Sequence, residues 1–274
     1  MKIECPSGLT LDARAWNLGD QNQLMDTKQN EAGLLPLRML EVATQGCVHP
    51  GPYPFKEGGP VNFHKVSIAD IVTANYLIRK KTRPQYDFRV PCQYCGKLTA
   101  RTIDMNEVEV FEASGEGIEH LRTGVPIIIK IPEEDPMAIL ELKILRGASL
   151  PELARYQDKT PEQMLELQAC MSVDKIIPQE ASAELLLSLG TIREYWRAQS
   201  WDFGDEVRVS IDVAEGGVDS TFEFRCENQG CRKEQLGTVP LDTEFYGLDP
   251  VAARERRRKR LSERRSRERP TSPQ

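Results

Sequence analysis

With 274 residues, 39% of them hydrophobic and 28% charged, the chain is long enough for one large domain or two small ones and has the apolar content for a core. Its longest apolar runs, such as Val125-Pro126-Ile127-Ile128-Ile129, fall far short of a bilayer span, and Met1 to Pro6 lacks the apolar stretch of a secretory signal, so a cytoplasmic protein is expected. Seven cysteines, an odd number, do not read as a secreted disulfide framework, and the net charge of −6 hides an asymmetry: Arg254 to Arg269 holds ten basic and three acidic residues, leaving 26 basic and 39 acidic elsewhere.

In chain order, Leu9, Leu11 and Ala13 alternate with polar residues and predict a short half-buried strand. From Asp20, a possible N-cap, the text reads as helical, with Leu34, Leu37, Met39 and Leu40 as an apolar face, Pro36 in a first turn and Gly46 as the stop. A Pro/Gly loop follows. Ser67-Ile68-Ala69-Asp70 then resembles a capping box and starts a helix to about Lys81. Tyr86, Phe88 and Val90 alternate into Cys92, and Leu98, Ala100 and Thr102 alternate away from Cys95, so the pair sits at a hairpin tip. The stretches VPIIIKIP and AILELKILRG are further strand candidates. From Ser149 to Gln199 the pattern predicts a helical insertion, with Thr160-Pro161-Glu162-Gln163 as one start and SAELLLSLG and TIREYWRAQ as further helices. EVRVSIDV, a turn at AEGG, and DSTFEFRC read as a second hairpin that delivers Cys226. The last residues, almost without apolar side chains, are expected to be disordered.

The four-cysteine set Cys92, Cys95, Cys226 and Cys231 carries the most chemistry. Zinc takes four soft or borderline ligands in a tetrahedron, and two short-spaced pairs at the ends of strands deliver them. Glycines, Gly96 after one pair and Gly230 inside the other, free backbone N–H groups to approach sulfur. Lys97, Arg232 and Lys233 offset the negative charge of a tetrathiolate centre. Two other readings stay open: buried hairpin thiols, or a redox Cys-x-x-Cys, which would need a helix after the pair instead of a strand. With four protein ligands the zinc would be structural, having no open position. Cys5, Cys47 and Cys170 read as core or incidental thiols, with Cys47 and His49 as an alternative ligand pair. No phosphate loop, nucleophile elbow or His-Glu-x-x-His motif appears, so an enzyme is not expected. The three histidines, at loop or exposed positions, form no triad, and Glu107-Val108-Glu109 and Glu133-Glu134-Asp135 read as solvated surface.

The order of segments adds a resemblance. A PSG-L-x-L-x-A-R strand, a Leu-rich helix, SIADIVTANYLIRKKT leading into YDFRVPCQYCG, then TIDMNEVEV, LKILRGASLPELARY and a closing FEFRCENQGC together resemble the T4-type phage baseplate hub assembly chaperone family, over roughly residues 5–245. That resemblance implies that Cys92, Cys95, Cys226 and Cys231 are metal-binding and that the chain assists tail morphogenesis in the host cytoplasm. Two departures stand out: Gln93-Tyr94 replaces a proline-containing knuckle, and the second pair is spaced by four residues instead of two.

The expected architecture is α+β: β-hairpins carrying a zinc-ribbon-like site, a body over 1–249 with a helical insertion at 150–200, and a basic tail over 250–274. The expected function is non-enzymatic binding of a baseplate or tail structural protein. The rivals are a zinc-ribbon nucleic-acid-binding protein and a permanent baseplate component, virion-borne. Nucleic acid would be reached only through the tail 254–269, the rest being acidic, and membrane not at all. The expected contact surface lies between Ser149 and Gln199, where Leu153, Met164, Leu165, Leu167 and Met171 recur at helical spacing beside Leu185-Leu186-Leu187, with Tyr195, Trp196 and Trp201 just beyond.

Overall fold

The computed structural model describes residues 1–17, 19–20, 33–130, 138–156, 161–178, 186–241 and 245–246. The helical stretch after Asp20, the Thr160 cap, the acidic cluster 133–135, Leu185 and the basic tail lie outside the described residues. Among those described, the chain is mixed α/β, with seven α-helices and five small antiparallel sheets. None of these helices is long and apolar enough to cross a membrane.

The first sheet joins β1 (Lys2–Glu4), β2 (Thr10–Ala13) and β3 (Thr44–His49) in that order. Leu9, Leu11 and Ala13 are fully buried, as the alternation requires. Helix α1 (Leu35–Ala43) carries Pro36 in its first turn, where the missing N–H breaks no bond. It stops before Thr44, and Gly46 lies inside β3, so the glycine is a strand residue and not a helix stop. Asp20 receives both Arg14 guanidinium nitrogens, at 2.6 and 2.7 Å.

Helix α2 (Ile68–Thr82) is the central element. Ser67 Oγ accepts the Asp70 N–H at 3.1 Å, the expected cap, and Arg79, Lys80 and Lys81 place positive charge at its C-terminal end. Asp70 itself is deeply buried. Its Oδ2 accepts Ser7 Oγ–H at 2.5 Å and the Tyr53 hydroxyl at 2.6 Å, and its Oδ1 accepts the Ser7 N–H at 3.1 Å. Tyr53 in turn accepts the Ser67 N–H at 3.1 Å. A buried carboxylate survives only when hydrogen-bonded, and this hub ties the N-terminus, the Pro/Gly loop and α2 together. Burial still raises the Asp70 pKa from its ordinary value, against the Ser7, Tyr53 and Ser67 bonds that lower it.

β4 (Gln85–Pro91) and β5 (Leu98–Asp104) form the first predicted hairpin. Further on lie β6 (Val110–Phe111) and α3 (Gly115–Thr123), which starts from a Ser114 cap and ends at Gly124 with φ 78°. His120, expected at an exposed position, is buried: Nδ1–H donates to Val125 O at 2.8 Å and Nε2 accepts the Ile144 N–H at 3.1 Å. His49 and His64 are exposed.

Two corrections concern the C-terminal half. The insertion over 150–200 is not all helical. After α4 (Leu150–Ala154) and α5 (Pro161–Ser172), β9 (Val173–Pro178) pairs with β8 (Ala138–Leu142), which pairs with β7 (Ile127–Lys130). No breaker separates α5 from β9, and the β-branched Val173 and Ile176 bury on the sheet's inner side. Leu186 bridges to Ile176, and the next helix is α6 (Leu189–Arg197).

The second correction is EVRVSIDV, read as a strand, which lies within α7 (Trp201–Glu215). Its alternating Val207, Val209, Ile211 and Val213 satisfies two periods. Phe203, Val207, Ile211 and Ala214 also fall on one helical face and are buried, while Val209 and Val213 face solvent. Ser200 Oγ caps the helix on the Phe203 N–H at 3.1 Å, and Gly216 ends it. The hairpin that carries Cys226 therefore forms downstream: β10 (Gly217–Val218) pairs with β6, and β11 (Thr221–Arg225) pairs with β12 (Glu234–Thr238). The main hydrophobic core runs from Ile3 to Tyr246, with Phe245 set among Trp16, Tyr76 and Tyr86, and Ile68, Leu145, Leu167 and Met171 form a smaller second cluster.

Candidate metal centre

Each cysteine pair closes a two-stranded hairpin. β4 and β5 pair from Gln85↔Asp104 to Pro91↔Leu98. The turn beyond them is closed by Cys92 N–H to Lys97 O at 3.0 Å and Gly96 N–H to Cys92 O at 2.8 Å. Gly96 takes φ 68°, a left-handed conformation that costs glycine nothing.

β11 and β12 repeat the device from Thr221↔Thr238 to Arg225↔Glu234, with Cys226 N–H bonded to Lys233 O at 3.0 Å. Here Arg232 N–H reaches the carbonyl four residues back, that of Asn228, at 3.1 Å, just as Gly96 reaches Cys92. Arg232, the residue after the second cysteine, holds φ 49° in the place Gly96 takes in the first turn. The two turns are thus alike around their second cysteine. The wider spacing is absorbed before Asn228, by the residues that carry Cys226 to its position.

The structure brings Cys92, Cys95, Cys226 and Cys231 together, their sulfurs all within 4.8 Å of one another. Two of the four pairs that cross between hairpins, Cys92 Sγ to Cys231 Sγ and Cys95 Sγ to Cys226 Sγ, are each 3.7 Å apart. A disulfide would need about 2.0 Å. Metal–sulfur bonds of about 2.3 Å in a regular tetrahedron put sulfurs about 3.8 Å apart, so the four thiols are spaced as ligands of one ion. Four cysteines compatible with a metal site therefore join segments separated by 130 residues.

Neighbouring side chains hold the sulfurs. Gln235 Nε2 donates to Cys92 Sγ at 3.1 Å while its Oε1 accepts the Gln93 N–H at 2.9 Å, crossing between the hairpins. Asn228 Nδ2 lies 3.6 Å from Cys95 Sγ, and Lys97 Nζ donates to Asn228 Oδ1 at 3.3 Å. Arg101 donates to the Arg225 carbonyl at 2.6 Å, pairs with Glu227 at 3.3 Å and lies over the Phe224 ring. Phe88 meets Phe222 edge-on at 5.4 Å, continuing the contact toward the core. Gln235 and Asn228 carry no signal in the sequence, since a single amide has no spacing pattern.

Without a metal, four thiols this close cannot all ionise. The Gln235 donor holds Cys92 down to about 6, and the Lys97 and Asn228 donors lower Cys95. At Cys226 the Asn228 N–H acts downward, but burial and the neighbouring thiols prevail and push it up to about 11. At Cys231 the Lys233 N–H is likewise outweighed, by burial together with Cys92 and Cys95. A cation supplies what the cluster lacks, compensation for the third and fourth negative charges.

The remaining cysteines lie apart from this cluster. Cys5, Cys47 and Cys170 are buried, and burial raises the pKa of each, which marks inert core thiols. Among the described residues Cys47 and His49 join no cluster of three or more possible metal ligands, and His49 Nδ1 lies 3.2 Å from both the Gly8 carbonyl and the Gly51 N–H. No family model, curated protein or solved structure significantly matches this chain.

Proposed function

We propose that Cys92, Cys95, Cys226 and Cys231 hold one zinc ion as a structural centre, and that the chain is a non-enzymatic assembly factor that binds a structural subunit of a phage tail baseplate. The observation that carries the zinc reading is the 3.7 Å spacing of the Cys92–Cys231 and Cys95–Cys226 sulfurs, the tetrahedral edge expected for zinc thiolates. Four thiolates fill that tetrahedron and leave no position for a substrate or a reactive water. A single iron ion would fit the same ligands, so metal analysis of protein from cells grown without added metal decides the element. About one zinc per chain is expected, and iron or no metal overturns the reading.

The assembly reading is supported by the segment order around the cysteines and by apolar side chains left in solvent. Of the surface expected between Ser149 and Gln199, Leu187 is 63% exposed and Leu165 50%. Leu186 and Trp196 are half-buried, and Trp196 packs against Phe203 at 5.5 Å. Leu187 and Leu165 are therefore the positions to change. Tagged full-length protein recovered from phage-infected cells should bring down a tail or baseplate structural protein, and Leu187→Glu should lose it while keeping its metal. Presence of the chain in purified virions would make it a permanent component instead. Recovery of no tail protein with the unaltered chain would refute the assembly reading.

A further inference from the structure

The acidic balance of the body is not uniform. Residues 92–101 and 225–233, the two turns and their flanks, carry five cationic side chains against one acidic, Glu227. Glu227 is occupied by Arg101, and Glu223 and Glu234 sit back along the strands of the second hairpin. A divalent ion held by four thiolates has a charge of minus two, so Lys97, Arg101, Arg225, Arg232 and Lys233 outnumber what the metal centre and Glu227 need. The excess is held at the apex: Lys97, Arg232 and Lys233 are all exposed.

The apex also presents an aromatic ring with no role at the metal. Tyr94, between Cys92 and Cys95, is 62% exposed, and Lys233 Nζ lies over its ring at 5.7 Å. Among the described residues no other ring packs against it. Its backbone is fixed by flanking cysteines and by the Gln235 bond to the Gln93 N–H, so the ring projects from a rigid turn. An aromatic platform flanked by cations is the arrangement that stacks a base and neutralises its phosphates, whereas an acidic peptide would use the cations and leave the ring idle.

We propose that the metal-held tip formed by Tyr94, Lys97, Arg232 and Lys233 binds single-stranded nucleic acid. This contact belongs to the body and is separate from the tail 254–269, and it does not depend on the baseplate reading.

The test uses the full-length, metal-loaded chain with short fluorescent oligothymidylate and oligouridylate strands, the pair separating DNA from RNA as the source. Anisotropy titrations are run over a range of salt, and metal content is measured on every preparation. The variant Lys97→Gln/Arg232→Asn/Lys233→Gln should bind at least about tenfold more weakly, with the slope of log affinity against log salt reduced by about two, near 0.7 per lost contact. Tyr94→Ala should weaken binding roughly five- to a hundredfold at unchanged slope. If the triple variant loses metal, the Tyr94→Ala result decides alone. Unchanged binding in metal-loaded variants would assign the contact to the tail and overturn the proposal. So would absence of binding by the unaltered chain at low salt, or a polyglutamate peptide bound as tightly and with the same dependence on Tyr94.

Discussion

Two polar clusters join parts of this chain that are far apart in sequence, and they do so by opposite physics. At the tip, four thiols crowd together and can all become anions only if a cation arrives; the link through the sulfurs is conditional on metal and favoured by ionisation. In the core, Asp70 is satisfied by Ser7, Tyr53 and Ser67 without any ligand, and burial opposes its ionisation. Acid therefore acts on them in opposite directions. Protons compete with metal for thiolates, while they relieve buried carboxylates. The metal link at the tip can be removed by a chelator, whereas the core hub is present whenever the chain is folded.

The largest effect should follow metal removal. A strong chelator, or either Cys92→Ser or Cys226→Ser, should reduce bound metal from about one per chain towards zero. The loss to the tip should be a large part of the roughly 10 kcal/mol or more that structural zinc supplies to small domains. Amide exchange should speed up across 85–104 and 221–238 while α2 stays protected, because the core from Ile3 to Tyr246 does not need the metal. If only the Cys92 variant lost metal, the second pair would not be a ligand pair.

Breaking the core hub should do the reverse. Asp70→Ala leaves the Ser7 and Tyr53 donors buried with no acceptor, a change expected to cost about 3–5 kcal/mol. The urea midpoint should fall, and metal per chain in the protein that remains folded should be unchanged. Coincident loss of metal would show that the two clusters are coupled.

A third cut uses pH. Glu215 is buried near the same hub; burial pushes its pKa up to about 8, the Leu145 N–H opposes this, and Asp212 and Asp70 add to it. The native state thus binds the proton more tightly than the unfolded chain. The stability this gives is complete below the unfolded carboxyl value, shrinks as pH rises, and is gone above about 8. Glu215→Gln should remove roughly 3 kcal/mol of stability loss between pH 5 and 8, measured as a flatter melting temperature over that range. A variant whose slope matches the unaltered protein would show that Glu215 is not the titrating group.

The contrast also explains what the sequence disclosed. The tip was legible because metal ligands come as one residue type at short spacing after strands, so Cys92, Cys95, Cys226 and Cys231 could be named together. The core hub was not, because Ser7, Tyr53 and Asp70 are ordinary residues joined only by tertiary structure; of that set, only the local Ser67–Asp70 cap could be read. The failures share this cause. The valines of α7 alternate, and only the packing of Phe203, Val207 and Ile211 against the core decides that they form a helix. β9 follows α5 with no breaker, and its partner β8 lies 30 residues or more upstream. Where a strand's register depends on distant pairing, periodicity alone cannot fix it.

The smallest effect should come from Gln235, which like the core hub acts through hydrogen bonds without a metal, yet is placed at the metal centre. It donates to Cys92 Sγ and accepts the Gln93 N–H, so it joins the two hairpins whether or not metal is bound. Side chains that hydrogen-bond to a metal ligand typically contribute ten- to a hundredfold to metal affinity. Gln235→Ala should still bind about one metal per chain, but about tenfold more weakly, or ~1.4 kcal/mol, in competition with a chromogenic chelator. In the metal-free protein, Cys92 titrates near 6 because that donor stabilises its thiolate. Removing the donor must raise the value, so alkylation of Cys92 at pH 6.5 should slow. An unchanged alkylation profile with weakened metal binding would mean that Gln235 acts only by holding the Gln93 turn in place, which Gln235→Glu, keeping the acceptor but not the donor, would then preserve.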